Sequence, residues 1–338
     1  MRALLVRPGP RFSVEDVAEG YLSGLRDLGV QTQDFAFGEA MEFCELGLRA
    51  SGMDETDAGH PAAVMAASLL RAACYDFWPD LVVVVTSFFV PPSTYEILRA
   101  RGVKVAVICT ESPYEDDAQV HLGHHADAIV VNDPTNLERF REVNPNTDYL
   151  PHAYRPDVHY PRQRVDRLAS DFCFVGTGYP SRVGFFEQVD FMGADVTLAG
   201  NWQSIDQDSP LFKYVADDTE TGIGNDLAHD YYASTRASAN IYRTESQRPE
   251  LAHGWAMGPR EVELAAAGTF FLTEARGENR EVLPMVPTFD GPGDFSEKLR
   301  WWLDHPTERA SVALRARAAV ADRTFTANAQ KLLTLSGF

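Results

Sequence analysis

The run Leu81-Val82-Val83-Val84-Val85, inside the segment 80–86, constrains this chain more than any other feature. Consecutive branched residues with no polar interruption cannot alternate between core and water, so a strand made of them is covered on both faces. That is the strand of a parallel sheet flanked by helices, and helical spacing is read on either side, over Ala62–Cys74 and Ser93–Arg101. The same texture precedes it, with a strand over Ala3–Val6 and a helix over Val14–Leu28 that Gly29 stops. It also follows it, with strands over Val103–Cys109 and Ala128–Val131 and a helix over Thr135–Val143. Only the stretch between Gly29 and Ala62 reads as irregular. Strands alternating with helices predict a doubly wound α/β sheet.

Near 148–164 the texture changes: Pro151, Pro156 and Pro161 fall among polar residues, and the segment reads as a crossover. The alternation then restarts. Strands are expected at Asp171–Val175, Asp195–Ala199, Ala239–Tyr242 and Thr269–Thr273, and helices at Ser181–Asp190, Leu227–Ser234 and Pro259–Ala267. Residues 206–226 read as a polar surface excursion, and 295–305 and 307–335 as helical, with Trp301 and Trp302 placed to bury one face. A chain of 338 residues exceeds one ordinary domain, so two α/β domains are expected, over 1–155 and 156–325, with a last helix at 326–338 crossing back to the first.

Charge narrows the partners. Thirty basic against forty-nine acidic residues leave a net −19, which repels a phosphate backbone and disfavours nucleic acid. One diphosphate is a different matter, because it needs only a few amides and one or two arginines. Cys44, Cys74, Cys109 and Cys173 form no CxxC pair and read as buried thiols. No stretch of about 18 apolar residues appears, and Met1–Val6 enters a strand directly, so no membrane insertion and a cytoplasmic location are expected.

Two stretches carry the chemistry. In Phe174-Val175-Gly176-Thr177-Gly178-Tyr179-Pro180-Ser181-Arg182, a buried strand empties into a glycine turn that opens a helix. That geometry brings backbone amides close to a pyrophosphate, with Arg182 available to clamp an oxygen, and it equally serves a plain strand-to-helix turn. In Pro259-Arg260-Glu261-Val262-Glu263-Leu264-Ala265-Ala266-Ala267-Gly268-Thr269, a proline-started, glycine-stopped helix leads into a strand. Glu261 is read as a surface or helix-dipole carboxylate, and Glu263 as one able to accept both hydroxyls of a ribose.

These two stretches, with Leu303-Asp304-His305-Pro306-Thr307-Glu308-Arg309 and Arg323-Thr324-Phe325-Thr326, resemble the C-terminal half of the CgeB-like, group 1 glycosyltransferases. Trp78–Val84 and Tyr149–Tyr154 are similar to the companion domain of that family. The resemblance implies a GT-B fold, two Rossmann-like domains whose parallel sheets face a central cleft. It implies transfer of a sugar from a UDP-, GDP- or TDP-linked donor to a saccharide, protein or small-molecule acceptor. It further implies no cofactor beyond that co-substrate, no metal, and retention of anomeric configuration. Glu263 matches the second glutamate of the family's E-x7-E signature, which holds ribose; the first falls at Trp255, leaving Glu250, His253 or a loop amide for the sugar.

From this follow the expected site residues. Arg260, Glu111 and His152 are the catalytic candidates. Gly9, Gly176, Thr177, Gly178, Arg182, Tyr242, Arg243, Pro259, Arg260, Glu263, Gly268 and Thr269 are the donor-binding ones. Two loops of the first domain, Arg7-Pro8-Gly9-Pro10-Arg11 and Thr110–Asp117, fit because open α/β sheets collect ligands at the carboxyl ends of their strands. His121, His124 and His125 with Asp117 and Asp127 read as a polar surface loop and not a metal site. Two alternatives remain beside transfer: a nucleotide-sugar epimerase of the same fold, and a non-catalytic sugar- or nucleotide-binding protein.

Overall fold

A computed structural model describes residues 1–9, 14–86, 88–203, 205–216, 223–246 and 249–338. The described elements run β1 (Arg2–Val6), α1 (Glu15–Asp27), β2 (Gln31–Phe35), α2 (Phe37–Ala50), α3 (Glu55–Phe77), β3 (Leu81–Val85), α4 (Pro92–Ala100), β4 (Lys104–Cys109), α5 (Asp116–Gln119), β5 (Ala128–Val131), α6 (Leu137–Val143) and β6 (Thr147–Tyr149). They continue with β7 (Ser170–Val175), α7 (Pro180–Phe186), β8 (Val196–Ala199), α8 (Asn225–Ser234), β9 (Thr235–Asn240), α9 (Pro259–Ala267), β10 (Phe271–Glu274), α10 (Gly277–Val282), β11 (Thr288–Phe289), α11 (Gly291–Asp304), α12 (Pro306–Ala319) and α13 (Phe325–Leu335). The chain divides into two compact units, Met1–Pro151 with Phe325–Phe338, and His152–Thr324.

The first unit holds a six-stranded sheet in the order β2-β1-β3-β4-β5-β6, with every pairing parallel. The valine-rich strand is β3, and all five of its residues are fully buried. Each such side chain contributes roughly 1.5–3 kcal/mol by leaving water, which is why this run anchors the sheet. The stretch read as irregular contains β2 and α2. β2 (QTQDF) is a polar edge strand, so it lacks the apolar signal by which a strand is recognised. α13 packs on α1: a Cβ on Gly20 would stand 2.3 Å from the Phe325 ring, and one on Gly24 2.6 Å from the Phe325 carbonyl. Asn328 Nδ2 and Asn146 Nδ2 donate to the Pro151 and Leu335 carbonyls, each at 2.8 Å, and close the contact.

The second unit holds a five-stranded parallel sheet, β11-β10-β9-β7-β8. Its core is aromatic: Phe172, Phe174, Phe186, Phe295 and Trp202 are buried, and Phe174 meets Phe186 edge-on at 5.2 Å. Trp302 joins this layer against Phe270 at 4.7 Å, but Trp301 is exposed and lies flat on His305, so the pair does not bury one face as expected. All four cysteines are buried and free. No helix among the described residues is long and apolar enough to cross a membrane.

Candidate functional site

In the second unit the chain leaves β7 for β8 on one side and then returns to place β9 on the other. Such a reversal opens a crevice outside the carboxyl ends of the two central strands, where open α/β sheets bind ligands. Gly176–Gly178 follows β7, Asn240–Arg243 ends and follows β9, and the N-terminus of α9 completes the rim.

Arg260, the second residue of α9, lies across this switch point. Its Nε donates to the Val175 carbonyl (2.8 Å) at the end of β7, and its Nη1 to Asn240 Oδ1 (3.1 Å) at the end of β9. The guanidinium sits 4.5 Å from the centre of the Phe174 ring, and a Cβ at position 176 would stand 2.3 Å from its Nη2. A side chain at Gly176 would therefore push the Arg260 guanidinium from this place. Gly200, after β8, is required twice: its φ is +101°, and a Cβ there would lie 2.6 Å from the Gly176 carbonyl oxygen. Gly178 is pressed in the same way by the buried Trp202, at 2.5 Å.

Arg182 occupies a different place from that of a clamp reaching for an anion. It is buried, and its Nε and Nη1 donate to the Ile241 and Thr177 carbonyls, both at 3.0 Å, tying the loops after β9 and β7 together. Its guanidinium lies within 5.4 Å of Phe174 and 5.0 Å of Tyr179 ring centres. Only Arg260 of this pair is half-exposed at the rim.

Glu261 corrects its sequence reading: it is fully buried, not a surface carboxylate. Oε2 accepts from the Gly258 amide (2.8 Å) and from the Tyr242 hydroxyl, and Oε1 from Thr273 Oγ1 (2.8 Å) and Asn279 Nδ2 (3.0 Å). Burial raises its pKa, and those donors pull it back. The same burial, reinforced by the Glu261 charge, holds the Tyr242 hydroxyl well above the usual phenol range. The Tyr242 amide donates to Glu274 Oε2 (2.7 Å), and the Arg276 guanidinium stacks over the Tyr242 ring at 3.6 Å. Tyr242 thus fastens the end of β9 to the start of α9. No local sequence signal marks Glu261 for burial, because Thr273, Asn279 and Tyr242 come from other elements.

Glu263, one turn along α9, differs from Glu261 in having no hydrogen bond or ion pair among the described residues. Desolvation raises its pKa and the nearby Arg260 charge opposes that rise. A half-buried carboxylate without donors, beside a guanidinium, is arranged to accept hydroxyl groups. Pro259 starts the helix, while Gly268 and Thr269 are at its far end, about 13 Å away along the axis. Gly268 is the left-handed helix stop (φ +74°), and Thr269 Oγ1 donates to the Tyr232 carbonyl at 2.9 Å, so neither comes to the crevice. Arg243 is half-buried just beyond β9, and His152, also half-buried, begins this unit. Trp255 packs over Gly277, where a Cβ would stand 2.0 Å from its ring, and its carbonyl accepts from the Glu278 amide (3.0 Å). That position supports α10.

The remaining expected residues lie in the first unit. Glu111 is half-buried in the turn after β4, and Gly9 lies just beyond β1. Arg7 of the same loop is held by three carboxylates, with Nε to Asp34 Oδ2 at 2.5 Å and further bonds to Glu15 and Glu19, so its charge is already matched. Pro10 and Arg11 lie outside the described residues. Among those described, no group of three or more His, Cys, Asp or Glu is placed to hold a metal ion.

Residues 182–334 match the family model described as Glycosyl transferase-like. The spore protein CgeB of Bacillus subtilis is 22% identical over 243 residues, covering 70% of this chain and 76% of that protein. Over its second unit above all, the chain is similar to the CgeB-like glycosyltransferases. Its fold is GT-B, with two parallel-sheet α/β domains. Sucrose-phosphate synthase from Thermosynechococcus elongatus superposes with a TM-score of 0.67 at 12% identity, covering 99% of this chain and 98% of that one. The E. coli trehalose-6-phosphate structure bound with UDP-2-fluoro glucose gives 0.61 at 11% identity, covering 100% and 99%. Arg260, Gly176 and Glu263 are thus built at or beside the strand ends where an open α/β sheet places its ligands.

Proposed function

We propose that the second unit binds a nucleoside-diphosphate sugar at the β7/β9 crevice and that the chain transfers the sugar, with retention and without a metal, to a hydroxyl acceptor. The bond between the anomeric carbon and the diphosphate oxygen breaks, and the nucleoside diphosphate leaves with the electron pair. The acceptor oxygen bonds the anomeric carbon and releases its proton. Negative charge grows on the leaving group, so a fixed guanidinium beside it stabilises the transition state. Arg260 and the Thr177 amide take that part, since the Gly176 and Gly178 amides already donate to the Ala199 and Asn201 carbonyls (2.9 and 2.8 Å), with Arg243 a further cation and Arg182 holding the loops. Glu263 accepts the ribose hydroxyls, Tyr242 lies near the base, and Glu111 and His152 serve the acceptor and sugar.

The observation that carries this reading is the pairing of Arg260, laid across the switch point against Gly176, with Glu263, a desolvated carboxylate lacking donors among the described residues. The bound UDP-2-fluoro glucose of the E. coli relative supports a uridine donor as the first to try. A thermal-shift panel with UDP, GDP, TDP and ADP and their sugars tests it, since a ligand at 100 times its Kd raises stability by about 2.7 kcal/mol. At least one nucleotide should raise the melting temperature without divalent ions. No shift with any of them contradicts the reading.

A further inference from the structure

Helix α3 of the first unit is apolar on its outer side as well as its inner one. No Asp, Glu, Lys or Arg falls between Asp57 and Arg71. The inward stripe, Ala62, Ala66, Ala67, Leu70 and Cys74, is buried. The outward stripe, Val64, Met65, Ser68, Leu69, Ala72 and Tyr75, follows helical spacing and is exposed throughout. A surface helix ordinarily turns charged residues to water, and one that is apolar all round is covered all round. Met65 and Leu69 are 44% and 45% exposed, and Tyr75 66%. Trp78, the left-handed C-cap at φ +55°, is 56% exposed and meets the Tyr75 ring edge-on at 6.0 Å. Glycine takes such a backbone without strain, so a tryptophan there holds its indole in the open at a conformational cost.

This stripe is separate from the cavity of about 540 Å³ that α2, α3 and the segment after β3 wall at the carboxyl edge of the sheet. That cavity is lined by Phe88, Phe89, Glu42, Glu45 and Arg49 among others, and by none of the outward residues of α3. Arg49 is matched there by Glu55 at 2.9 Å and Glu45 at 3.6 Å.

The exposed parts of Val64, Met65, Leu69, Tyr75 and Trp78 offer on the order of 500 Å², at about 150–250 Å² for a whole aromatic side chain. α2 packs against α3 and adds the exposed Phe43 and Leu46, which brings the helical pair to about 700 Å². The largest apolar patch of an ordinary monomer is about 300–600 Å², and a stable interface takes about 800 Å² from each partner. Charge selects the occupant. A helix that settles on an anionic bilayer is flanked by Lys and Arg, whereas Asp54, Glu55, Asp57, Asp76 and Asp80 flank this one, in a chain of net charge −19. A second copy needs only a patch that complements itself about a two-fold axis. With the axis at Ser68 and Leu69, Met65 faces the small Ala72 of the second copy, Ser68 leaves room for close approach, and no charge is buried.

We propose that the first unit carries a homodimer interface, formed by the outward stripe of α3 against the same stripe of a second copy. Sedimentation velocity of the full chain at a series of micromolar concentrations tests this, and a species of twice the 37.5 kDa chain mass should grow with concentration. Leu69→Glu, at an exposed position where folding is not at stake, sets like charges beside the axis and should raise the dimer dissociation constant at least about 10-fold, with helix content by circular dichroism unchanged. Leu314→Glu, a still more exposed change on α12 of the second unit, should leave the dimer as it is. Ser68→Cys should give a disulfide-linked dimer on mild oxidation, whereas the wild type, with its four cysteines buried, should give none. A monomer at every concentration, a dimer that Leu69→Glu leaves intact, or no cross-link through Ser68→Cys overturns the inference. So does flotation of the wild type with phosphatidylcholine or phosphatidylserine vesicles that Leu69→Glu abolishes.

Discussion

The two sheets reverse their strand order in the same way, yet the crevices opened there are chemically opposite. In the second unit the switch point is crossed by two guanidiniums, its loops are glycines packed without room for a methyl group, and its polar groups are tied into one network around Glu261. In the first unit the corresponding edge is aromatic and acidic, and its one cavity-lining guanidinium is matched by carboxylates. The same topology therefore ends in a glycine-lined, arginine-bearing edge in one unit and in an aromatic, acidic one in the other. What the side chains add at the strand ends, not the fold, decides which ligand each half takes.

The sharpest way to break this contrast is to empty the network under the second crevice. Glu261→Ala leaves the Gly258 amide, Thr273, Asn279 and the Tyr242 hydroxyl without their acceptor, and should cost about 4 kcal/mol in denaturant unfolding. A loss below about 1 kcal/mol would mean that the network does not hold α9 in place.

Acid should act on the second unit next. Burial holds His159 neutral, with its pKa lowered to about 4, and its Nδ1 accepts from the Arg155 amide at 3.2 Å. The unfolded chain takes up a proton near pH 6.5 and the folded one only near 4, so this stability is complete above 6.5 and is lost as the pH falls between those values. The full loss is about 3 kcal/mol. Subtracting the pH profile of His159→Asn isolates the histidine from the buried Glu261 and Glu274, whose raised pKa values act with opposite sign. Parallel profiles for the two proteins would remove His159 from the account.

Backbone changes at the two edges sharpen the comparison further. Gly200→Ala places a methyl group against Gly176 at a left-handed φ and should cost about 2 kcal/mol, together with nucleotide affinity. In the first unit, Thr86 at the end of β3 is a β-branched residue at φ +53°. Thr86→Gly relieves that strain but loses its hydroxyl contact with Thr110, so the net change should stay within about 1 kcal/mol. A destabilisation at Thr86 as large as that at Gly200 would show that the first edge is as rigidly specified as the second.

Much of this architecture was legible in sequence where local and global preferences agree. α9 runs over the residues expected of it, because Pro259 can start a helix and Gly268 can take the left-handed stop. Most strands with apolar runs were placed within a residue or two, but the one expected at Ala239–Tyr242 is β9, Thr235–Asn240, whose buried residues are small or polar and give little apolar signal. β2 and α2 escaped because an edge strand facing water carries no apolar run. The long helical tail is two helices, broken at 320–324 where the chain passes from the second unit to the first. A helical composition does not mark where a helix must end to change partners. That Arg260 and Glu263 share the helix α9 was legible in the sequence, whereas the burial of Glu261 was not, since burial of a charged residue is conferred by groups distant in sequence.

Calorimetric titration of the wild-type chain and of Arg260→Ala with UDP-glucose and with free UDP, in the absence of divalent ions, bears most directly on the second crevice as the donor site. Saturable binding by the wild type, weakened about 10-fold to 100-fold by loss of the guanidinium, is the expected result. Equal affinity in the two proteins would place the diphosphate elsewhere and contradict the account.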